Sequence, residues 1–308
     1  MTTISAKSIL ASRHALDHNI VGHTILCRYP RPIHAEVLTH KVFSRNAGSS
    51  RALPVKRLIQ DVINDPFVPL YWGANQKGMQ AGEEINTQVW VSDQIQPKRS
   101  RTRSLTREQA WERAMWLAID MAEAFDAAGY HKQIVNRLLE PFSHITVLIT
   151  STQWSNFLAL RDHPDAEPHI QILAREIRKA IEGADVRTLQ PGQWHLPFIT
   201  DEDRADLAGF YNPDEEAYQE GLRKLSVARC ASTSYKTVEG FDMTLERALA
   251  IYDKLRTADI LHASPFEHQF QMDEPGSGFH GKWLNEHLGG NLGPGVIQLR
   301  KTLPNECL

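Results

Sequence analysis

The sequence is poor in cysteine and has no long apolar run. Its three cysteines, Cys27, Cys230 and Cys307, are far apart and form no Cys-x-x-Cys pair. This usage excludes a disulfide framework and a zinc knuckle and is typical of a reducing compartment. The N-terminus lacks an apolar signal core, and no run of about 18 apolar residues exists to span a bilayer. We therefore expect a cytoplasmic protein that does not enter a membrane.

Several motifs of known chemistry are also missing. No Gly-x-Gly-x-x-Gly follows a predicted strand, and no Walker loop or Gly-x-Ser-x-Gly is present. The 14 histidines include no His-Glu-x-x-His, and the pairs His34/His40 and His262/His268 have a spacing that does not suit one helical face. We expect no metal site. A net charge of -3 argues against wholesale binding of nucleic acid.

Apolar content of 42% and charged content of 23% are those of a globular protein. Hydrophobic periodicity predicts a helix-rich chain with a few strands, which we interpret as α+β. The predicted helices cover residues 33–42, 106–128, 131–140, 153–161, 169–182, 214–230 and 244–257. A strand is predicted over 20–27, and a strand or buried helix over 142–150. Residues 66–103 and 185–213 are predicted to be irregular.

The segment Thr39–Arg51 is unusually dense in hydrogen-bond donors. It holds three cationic side chains, one histidine, several hydroxyls and Gly48. Such a run is either a solvated surface loop or a site for phosphate or another anion. The basic run at 97–103 is interpreted as a solvated loop, with contact to nucleic acid as the alternative.

Four motifs resemble those of flavin-dependent thymidylate synthases. The family signature, Arg-His-Arg, then Ser, then Asn-Glu-x-Ser-x-Arg, is matched by Thr39-His40-Lys41, Ser44 and Asn46–Arg51. Asn156–Arg161, followed by Ala166 and Ile170, resembles the second signature, and Arg137–Pro141 the Arg-x-x-x-Pro before it. The fourth motif, His-x-Thr/Ser-Pro-Phe-Glu-His, occurs at His262–His268 after a predicted helix and Ala228-Arg229-Cys230-Ala231-Ser232.

This resemblance implies an order of motifs different from that of the family, in which the fourth motif comes first. We therefore expect a circularly permuted form of the family's α+β fold, an antiparallel or mixed sheet flanked by helices. The resemblance also implies that the segment His262–His268 is a neighbour of Thr39–Arg51. Residues 1–308 would form a single domain with insertions at about 52–105 and 185–225. The divergent signature resembles those of phage members, which would place the protein in a host cytoplasm. The resemblance also implies a homotetramer whose active sites are built from several subunits.

The resemblance implies a specific reaction and a set of site residues. Members transfer a methylene group from methylenetetrahydrofolate to C5 of dUMP, reduced FAD supplies the hydride, and NADPH reduces the flavin. The catalytic residues implied are Arg161, His262 and Ser49. Those implied to bind the nucleotide are Glu36, Ser49, Arg51, Arg137 and Arg161. Those implied to bind FAD are His40, Lys41, Ser44, Asn156, Ser264, Glu267 and His268.

Departures from the family pattern leave alternatives open. Thr39 and Lys41 replace two arginines, Ala47 replaces an acidic residue, and Thr152 stands where an arginine usually contacts flavin. Lysine keeps the charge but loses the bidentate geometry of arginine. One alternative is C5 hydroxymethylation, or another one-carbon modification, of dUMP or dCMP, with water in place of hydride. The other is a non-catalytic protein that binds nucleotide or nucleic acid.

Overall fold

The computed structural model describes residues 3–92, 102–233, 244–257, 261–277 and 282–306. Its strands are β1 Ser5–His14, β2 Val21–Pro30, β3 Ser44–Ala47, β4 Val89–Ser92, β5 Thr102–Leu105, β6 His144–Ser151, β7 Val186–Leu189, β8 Trp194–His195, β9 Phe270–Met272 and β10 Val296–Gln298. Its α-helices are α1 His34–Val37, α2 Val55–Asn64, α3 Arg107–Ala127, α4 Lys132–Val135, α5 Ser155–Arg161, α6 Pro168–Glu182, α7 Asp201–Ala208, α8 Glu216–Ser232 and α9 Leu245–Arg256.

A five-stranded sheet with the order β3-β6-β2-β1-β7 organises the chain. The β1–β7 pair is parallel and the others are antiparallel, so the sheet is mixed. Side chains alternate between its faces, and Ile25, Val147 and Ile149 point to the face that α6 covers with its apolar stripe. The stripe of α6 had been predicted from its spacing, and the α+β class with a mixed sheet flanked by helices is confirmed.

The opposite face of the sheet is covered by the C-terminal part of the chain. Helix α8 and a small β10-β9-β8 sheet lie against it. Phe270 of β9 packs directly on β2 because Gly22 has no side chain: a Cβ there would lie 2.3 Å from Cζ of the Phe270 ring. The two faces of the central sheet therefore have different partners. One face packs against the apolar stripe of α6, and the other packs against the C-terminal part of the chain, where many of the contacts are polar.

Helix α3 begins and ends where the sequence predicts. Thr106 and Gln109 form a complete capping box, and Gly129 follows the helix with a φ of 84°, a left-handed conformation that glycine adopts without steric cost. Met115, Ile119 and Ala122 are buried against α2 and α4. The predicted helices at α5, α8 and α9 are confirmed as well.

Six sequence predictions are wrong in detail, and sequence reasoning did not identify α2. Residues 66–103 are not irregular throughout, since they contain β4 and the start of β5. The helix predicted over 131–140 is α-helical only to Val135 and is followed by 3₁₀ turns at Asn136–Leu138 and Glu140–Phe142.

The other four differences lie in residues 20–51 and 185–213. Residues 185–213 are not irregular, since they contain β7, β8 and α7, and α7 opens on a capping box at Thr200 and Asp203. The helix predicted to reach residue 42 ends at Val37. The polar segment Thr39–Arg51 is not a loop throughout, because β3 pairs with β6 in its middle. Strand β2 continues to Pro30, beyond the predicted end at residue 27.

Two further sequence predictions can be compared with the structure only within the described residues. The basic run at 97–103 falls mostly outside the described residues, and only its end belongs to β5. No helix in the described part of the chain is long and apolar enough to cross a membrane.

Candidate functional site

Arg161 and the chain before β3 form a tight polar cluster. The Nε of Arg161 donates to Nε2 of His40 at 3.1 Å. Its Nη1 lies 3.3 Å from Oε2 of Glu36, and its Nη2 lies 3.3 Å from Oγ1 of Thr39. These residues are more than 120 positions apart in sequence and meet because α5 follows β6 at the sheet end where β3 begins. The structure thus brings together three residues that the resemblance assigns to the active site.

The electrostatics of this cluster follow from burial beside a cation. His40 is 7% exposed and packs edge-on against Phe157, with ring centroids 4.9 Å apart. Burial lowers the pKa of His40, and the charges of Arg161 and Arg45 lower it further. The imidazole is therefore neutral near pH 7, and its Nε2 accepts the hydrogen bond that Arg161 donates. Burial and the nearby Glu167 raise the pKa of Glu36, while Arg161 opposes that shift.

Arg161 retains hydrogen-bonding capacity. A guanidinium has five N–H donors, and three of them take part in the contacts given above. Within the described residues the remaining two have no partner, and the side chain is 22% exposed. Lys41 and Asn156 are exposed on the adjoining segment and on the same helix. Arg161 therefore presents fixed donors to an anion or a carbonyl oxygen.

A second cluster holds Ser49, Arg51 and Arg137. The Ser49 hydroxyl accepts from the backbone N–H of Arg51 at 3.3 Å, and Glu140 joins this turn to Arg137 through Oγ of Ser50 at 2.5 Å and an ion pair of 3.6 Å. The Arg137 side chain is 62% exposed. These three predicted phosphate contacts lie near one another, with both arginines open to solvent.

The two clusters lie at opposite ends of β6. Arg137 precedes the strand and Arg161 follows it, and the eight residues of β6 span about 24 Å at about 3.4 Å per residue. The residues predicted to bind the nucleotide are thus divided between the two ends of β6.

The segment His262–His268 lies against β3, as the sequence predicted. Oγ of Ser264 donates to Oδ1 of Asn46 at 3.4 Å, and the amide of Asn46 also bonds to Oγ1 of Thr233 at 3.3 Å. The two motifs meet although more than 200 residues separate them. His262 is exposed at the start of the segment.

Several predicted flavin contacts are engaged within the chain. Oγ of Ser44 is fully buried and bonds to the amides of Gln298, at 3.1 Å, and Asn291, at 3.0 Å. Gln298 also donates to the carbonyl oxygen of Glu267 at 3.0 Å, and the Glu267 carboxylate pairs with Arg300. Ser44 and Glu267 therefore attach the C-terminal segment to the sheet.

A buried chain of hydrogen bonds crosses the C-terminal face of the sheet. Oγ of Ser12 bonds to Nδ1 of His195 at 2.8 Å, and Nε2 of His195 bonds to Oγ1 of Thr24 at 2.8 Å. Thr24 bonds to Thr150 at 2.7 Å, and Thr150 to Nδ1 of His268 at 2.8 Å. At most 1% of each residue is exposed. The network fixes the His268 ring, whose buried Nε2 has no partner among the described residues.

Sequence reasoning identified His268 but missed the rest of this network. Thr24 and Thr150 are hydroxyl residues inside otherwise apolar strands, at positions that face the covered side of the sheet. That pattern is the only signal of the network in the sequence. It is a weak signal, because β-branched threonine is also common on exposed strand faces.

We expect acid to destabilise the fold through His268 and His195. Burial lowers the pKa of His268 to about 3 and that of His195 well below its ordinary value. The unfolded chain takes up these protons near pH 6.5, so stability is unaffected above that pH and falls as the pH drops towards 3. The slope is about 1.4 kcal/mol per pH unit for each such histidine. Urea unfolding at pH 7.5, 6 and 5 measures it.

The matched variants for this experiment are His268→Gln and His287→Gln. His287 is exposed, so its replacement should leave the pH dependence unchanged. His268→Gln should reduce the slope by about 1.4 kcal/mol per pH unit. Equal slopes in the wild type and His268→Gln would show that His268 is not held neutral in the folded state.

The cysteines do not provide a nucleophile among the described residues. Cys27 and Cys230 are fully buried, and burial raises the pKa of both thiols well above the ordinary range; a thiolate is the reactive form. The described ranges contain no group of three His, Cys, Asp or Glu side chains placed to hold a metal ion.

No protein-family model and no curated protein matches the chain. Among solved structures, two of the UMP/dUMP methylase PolB from Streptomyces cacaoi are similar to part of it. The one bound with 5-Br UMP is 15% identical, with a TM-score of 0.41, and covers 59% of this chain and 89% of PolB. The one bound with 5-Br dUMP is 13% identical, with a TM-score of 0.41, and covers 59% and 90%. A TM-score below 0.5 does not define a shared fold.

Proposed function

We propose that the protein is an FAD-dependent thymidylate synthase that methylates dUMP at C5, with methylenetetrahydrofolate as the carbon donor. One observation carries the proposal. Arg161, held by Glu36, Thr39 and His40, forms a fixed cation at the edge of the sheet. The family-like segment His262–His268 lies on β3, the strand that leads away from that edge.

In this proposal Arg161 stabilises the pyrimidine as C5 becomes nucleophilic. Negative charge then develops on the uracil carbonyl oxygen, and a preorganised donor at that oxygen lowers the barrier. The contacts of Arg161 with Glu36 and His40 hold the guanidinium in place before substrate arrives. Because His40 is neutral, it orients the arginine without adding a second charge.

The phosphate of dUMP is assigned to Ser49, Arg51 and Arg137. Both arginines are exposed and always charged, and the planar guanidinium pairs with phosphate oxygens in a bidentate manner. The Ser50–Glu140 hydrogen bond of 2.5 Å connects the two arginine-bearing segments. Ser49 follows β3 and supplies a hydroxyl beside Arg51.

The exposed donors Lys41 and Asn156 suit a flavin with its phosphates and carbonyl groups. We assign both to FAD, together with the buried His40 and with Ser264 and the exposed His262 from the C-terminal segment. When bound, FAD supplies the hydride that completes the methyl group, and NADPH supplies the electrons. Ser44, Glu267 and His268 support the site by fixing the segment that carries His262 and Ser264.

The separation of the two clusters supports an active site shared between subunits. Arg137 precedes β6 and Arg161 follows it, and the strand between them is about 24 Å long (at about 3.4 Å per residue), so we propose that the two clusters meet across an interface. Helices α3 and α4 contact the turn that carries Arg137 and leave apolar side chains exposed, namely Leu117 and Met121 of α3 and Ile134 of α4. Exposed apolar patches mark protein interfaces. We propose a homotetramer in which one subunit supplies Arg161 and another supplies Arg137.

The proposal includes a circular permutation of the family fold. The segment His262–His268 reaches β3 from the C-terminal side of the chain, and permuted chains retain a fold when the new termini are exposed. The domain would span residues 1–308, with the regions at about 52–105 and 185–225 as insertions.

A one-carbon transfer assay tests the function. The protein is incubated with FAD, NADPH, methylenetetrahydrofolate and 5-tritiated dUMP, and both tritium release and dTMP are measured. We expect both, together with flavin absorbance that stays with the protein through gel filtration. Release of tritium without formation of dTMP would indicate hydroxymethylation instead of methylation. A protein that takes up no FAD and releases no tritium would instead be a non-catalytic binder.

Hydroxymethylation is the second candidate because of two departures in the signature. Thr39 donates its hydroxyl to the carbonyl oxygen of Glu36 at 2.6 Å, and Thr152 donates to the carbonyl oxygen of Leu292. Both hydroxyls are thus used within the chain at positions where family members have arginines. Weaker binding of the flavin, which is the hydride donor, would favour attack by water in place of hydride transfer. The assay therefore includes dCMP and a search for 5-hydroxymethyl products.

A further inference from the structure

A cavity of about 390 Å³ lies between α8, α9 and the 3₁₀ turn Leu299–Thr302. It shares no residue with the clusters around Arg161 and Arg137. Trp194 and Tyr252 form aromatic walls, and Leu299 and Leu303 add aliphatic surface. We call it the α8–α9 cavity.

Arg223 is a nearly buried cation in the wall of this cavity. Its guanidinium lies 5.1 Å from the centre of the Trp194 ring, and its side chain is 13% exposed. Its carboxylate partner is Glu216, whose side chain is 78% exposed. Pairing with so exposed a carboxylate contributes little, because two flexible side chains must be held in place against solvent.

Lys224 repeats this arrangement one residue later. Its ammonium lies 5.6 Å from the Tyr252 ring centre and 2.7 Å from the carboxylate of Glu220, whose side chain is 44% exposed. The four charged residues, Glu216, Glu220, Arg223 and Lys224, follow helical spacing along one side of α8. Each cation thus stacks on an aromatic ring, and each has an exposed glutamate as its partner.

A second cation, Arg256, lines the cavity from the last turn of α9. Its side chain is exposed, and it makes no ion pair within the described residues. The lining holds two cations and two carboxylates, and one of the carboxylates, Glu220, is paired with Lys224, which lies outside the lining. Arg223 and Arg256 therefore face Glu216 as the remaining carboxylate. A ligand with an acidic group can displace Glu216 and pair with Arg223 and Arg256, while its apolar body lies between the aromatic and aliphatic walls.

We propose that the α8–α9 cavity binds a small aryl anion, with the acidic group on Arg223 and Arg256. Concave sites with apolar walls and a few fixed polar groups are the usual form of small-molecule sites. A carboxylate and a phosphate share the chemistry that two arginines recognise. The proposal is independent of the pyrimidine reaction, since it uses none of the residues assigned to it.

Isothermal titration calorimetry of the full-length protein with three probes tests the proposal. Phenyl phosphate carries one acidic group on a ring and isophthalate carries two, whereas inorganic phosphate has the charge without a ring. We expect at least one aryl anion to bind with a Kd of about 1 mM or tighter, and inorganic phosphate to bind at least about tenfold more weakly. Preference for one aryl probe identifies the acidic group. No binding of either, or equal binding of inorganic phosphate, overturns the proposal.

Three variants locate the site. Arg256→Gln should weaken binding of the preferred probe about tenfold through loss of a charged hydrogen bond. Glu216→Gln should strengthen it about threefold, because the competing carboxylate is gone. Lys254→Gln removes the same charge from an exposed position on the other side of α9 and should leave Kd unchanged. If Arg256→Gln and Lys254→Gln have the same effect, the cavity is not the site.

Discussion

Arg161→Ala is expected to lower dTMP formation by about 10²–10³-fold, the loss that follows removal of one preorganised donor from a developing oxyanion. Bound flavin should be unaffected, because Lys41 and Asn156 remain. The same substitution frees His40 and Glu36, whose positions Arg161 holds at 3.1 and 3.3 Å. Single-turnover measurement of dTMP, with flavin absorbance recorded on the same samples, separates loss of chemistry from loss of cofactor.

Arg175→Ala is the matched control for Arg161→Ala. Arg175 also forms an ion pair on an adjacent helix, with Asp162 at 2.8 Å, and its side chain is 53% exposed. We expect its turnover to equal that of the wild type. Arg161→Lys should recover only part of the activity, since lysine keeps the charge without the planar arrangement of donors. Full activity in Arg161→Ala would remove Arg161 from the pyrimidine site.

Asp203→Ala is expected to have the largest effect on stability, lowering the free energy of unfolding by about 3–5 kcal/mol. Asp203 pairs through both carboxylate oxygens with Arg229, and the side chains are 13% and 9% exposed. Without Asp203 the arginine is left as a buried charge without its ion-pair partner. Arg229 also donates to the carbonyl oxygen of Phe198, a residue with a φ of 64°. This pair therefore supports a strained turn as well as α8.

Urea unfolding at pH 7.5 measures the effect, with Asp206→Ala as its control. Asp206 is an exposed residue of the same helix, and its replacement should change the free energy of unfolding by less than about 0.5 kcal/mol. Asp203→Asn should lie between the two, because an amide still accepts one hydrogen bond from Arg229. A change below about 1 kcal/mol in Asp203→Ala would mean that water reaches Arg229 and replaces the carboxylate.

The elements that sequence reasoning predicted well are those with local signals. Helix α3 has its capping box, its stripe of Met115 and Ile119 and its terminal Gly129 within 24 residues of chain. Helix α6 has a regular apolar stripe. Such helices depend on contacts between residues three or four positions apart, so their limits can be read from a short window. The group around Arg161 could be named only through the resemblance of the segments that carry it.

The strands that sequence reasoning missed depend on distant partners. Strand β3 has four residues and exists because Ser44–Ala47 pairs with β6, about 100 residues away. Strand β7 pairs with β1, and β8 has two residues that pair with β9. A short strand gains its stability from cross-strand contacts rather than from its own sequence. Its position is therefore settled only when the sheet is assembled.

By itself, the amino-acid sequence determined helices α3, α5, α6, α8 and α9 and the α+β class, and the family resemblance implied the contact between Thr39–Arg51 and His262–His268. Tertiary structure alone decided how the polar side chains are divided. Lys41 and Asn156 are exposed and Arg161 partly so, whereas Ser44, Asn46 and His268 are buried and bonded within the chain. The physical reason is that a buried polar group requires a partner, and those partners come from Gln298, Thr150 and Ser264 across the fold.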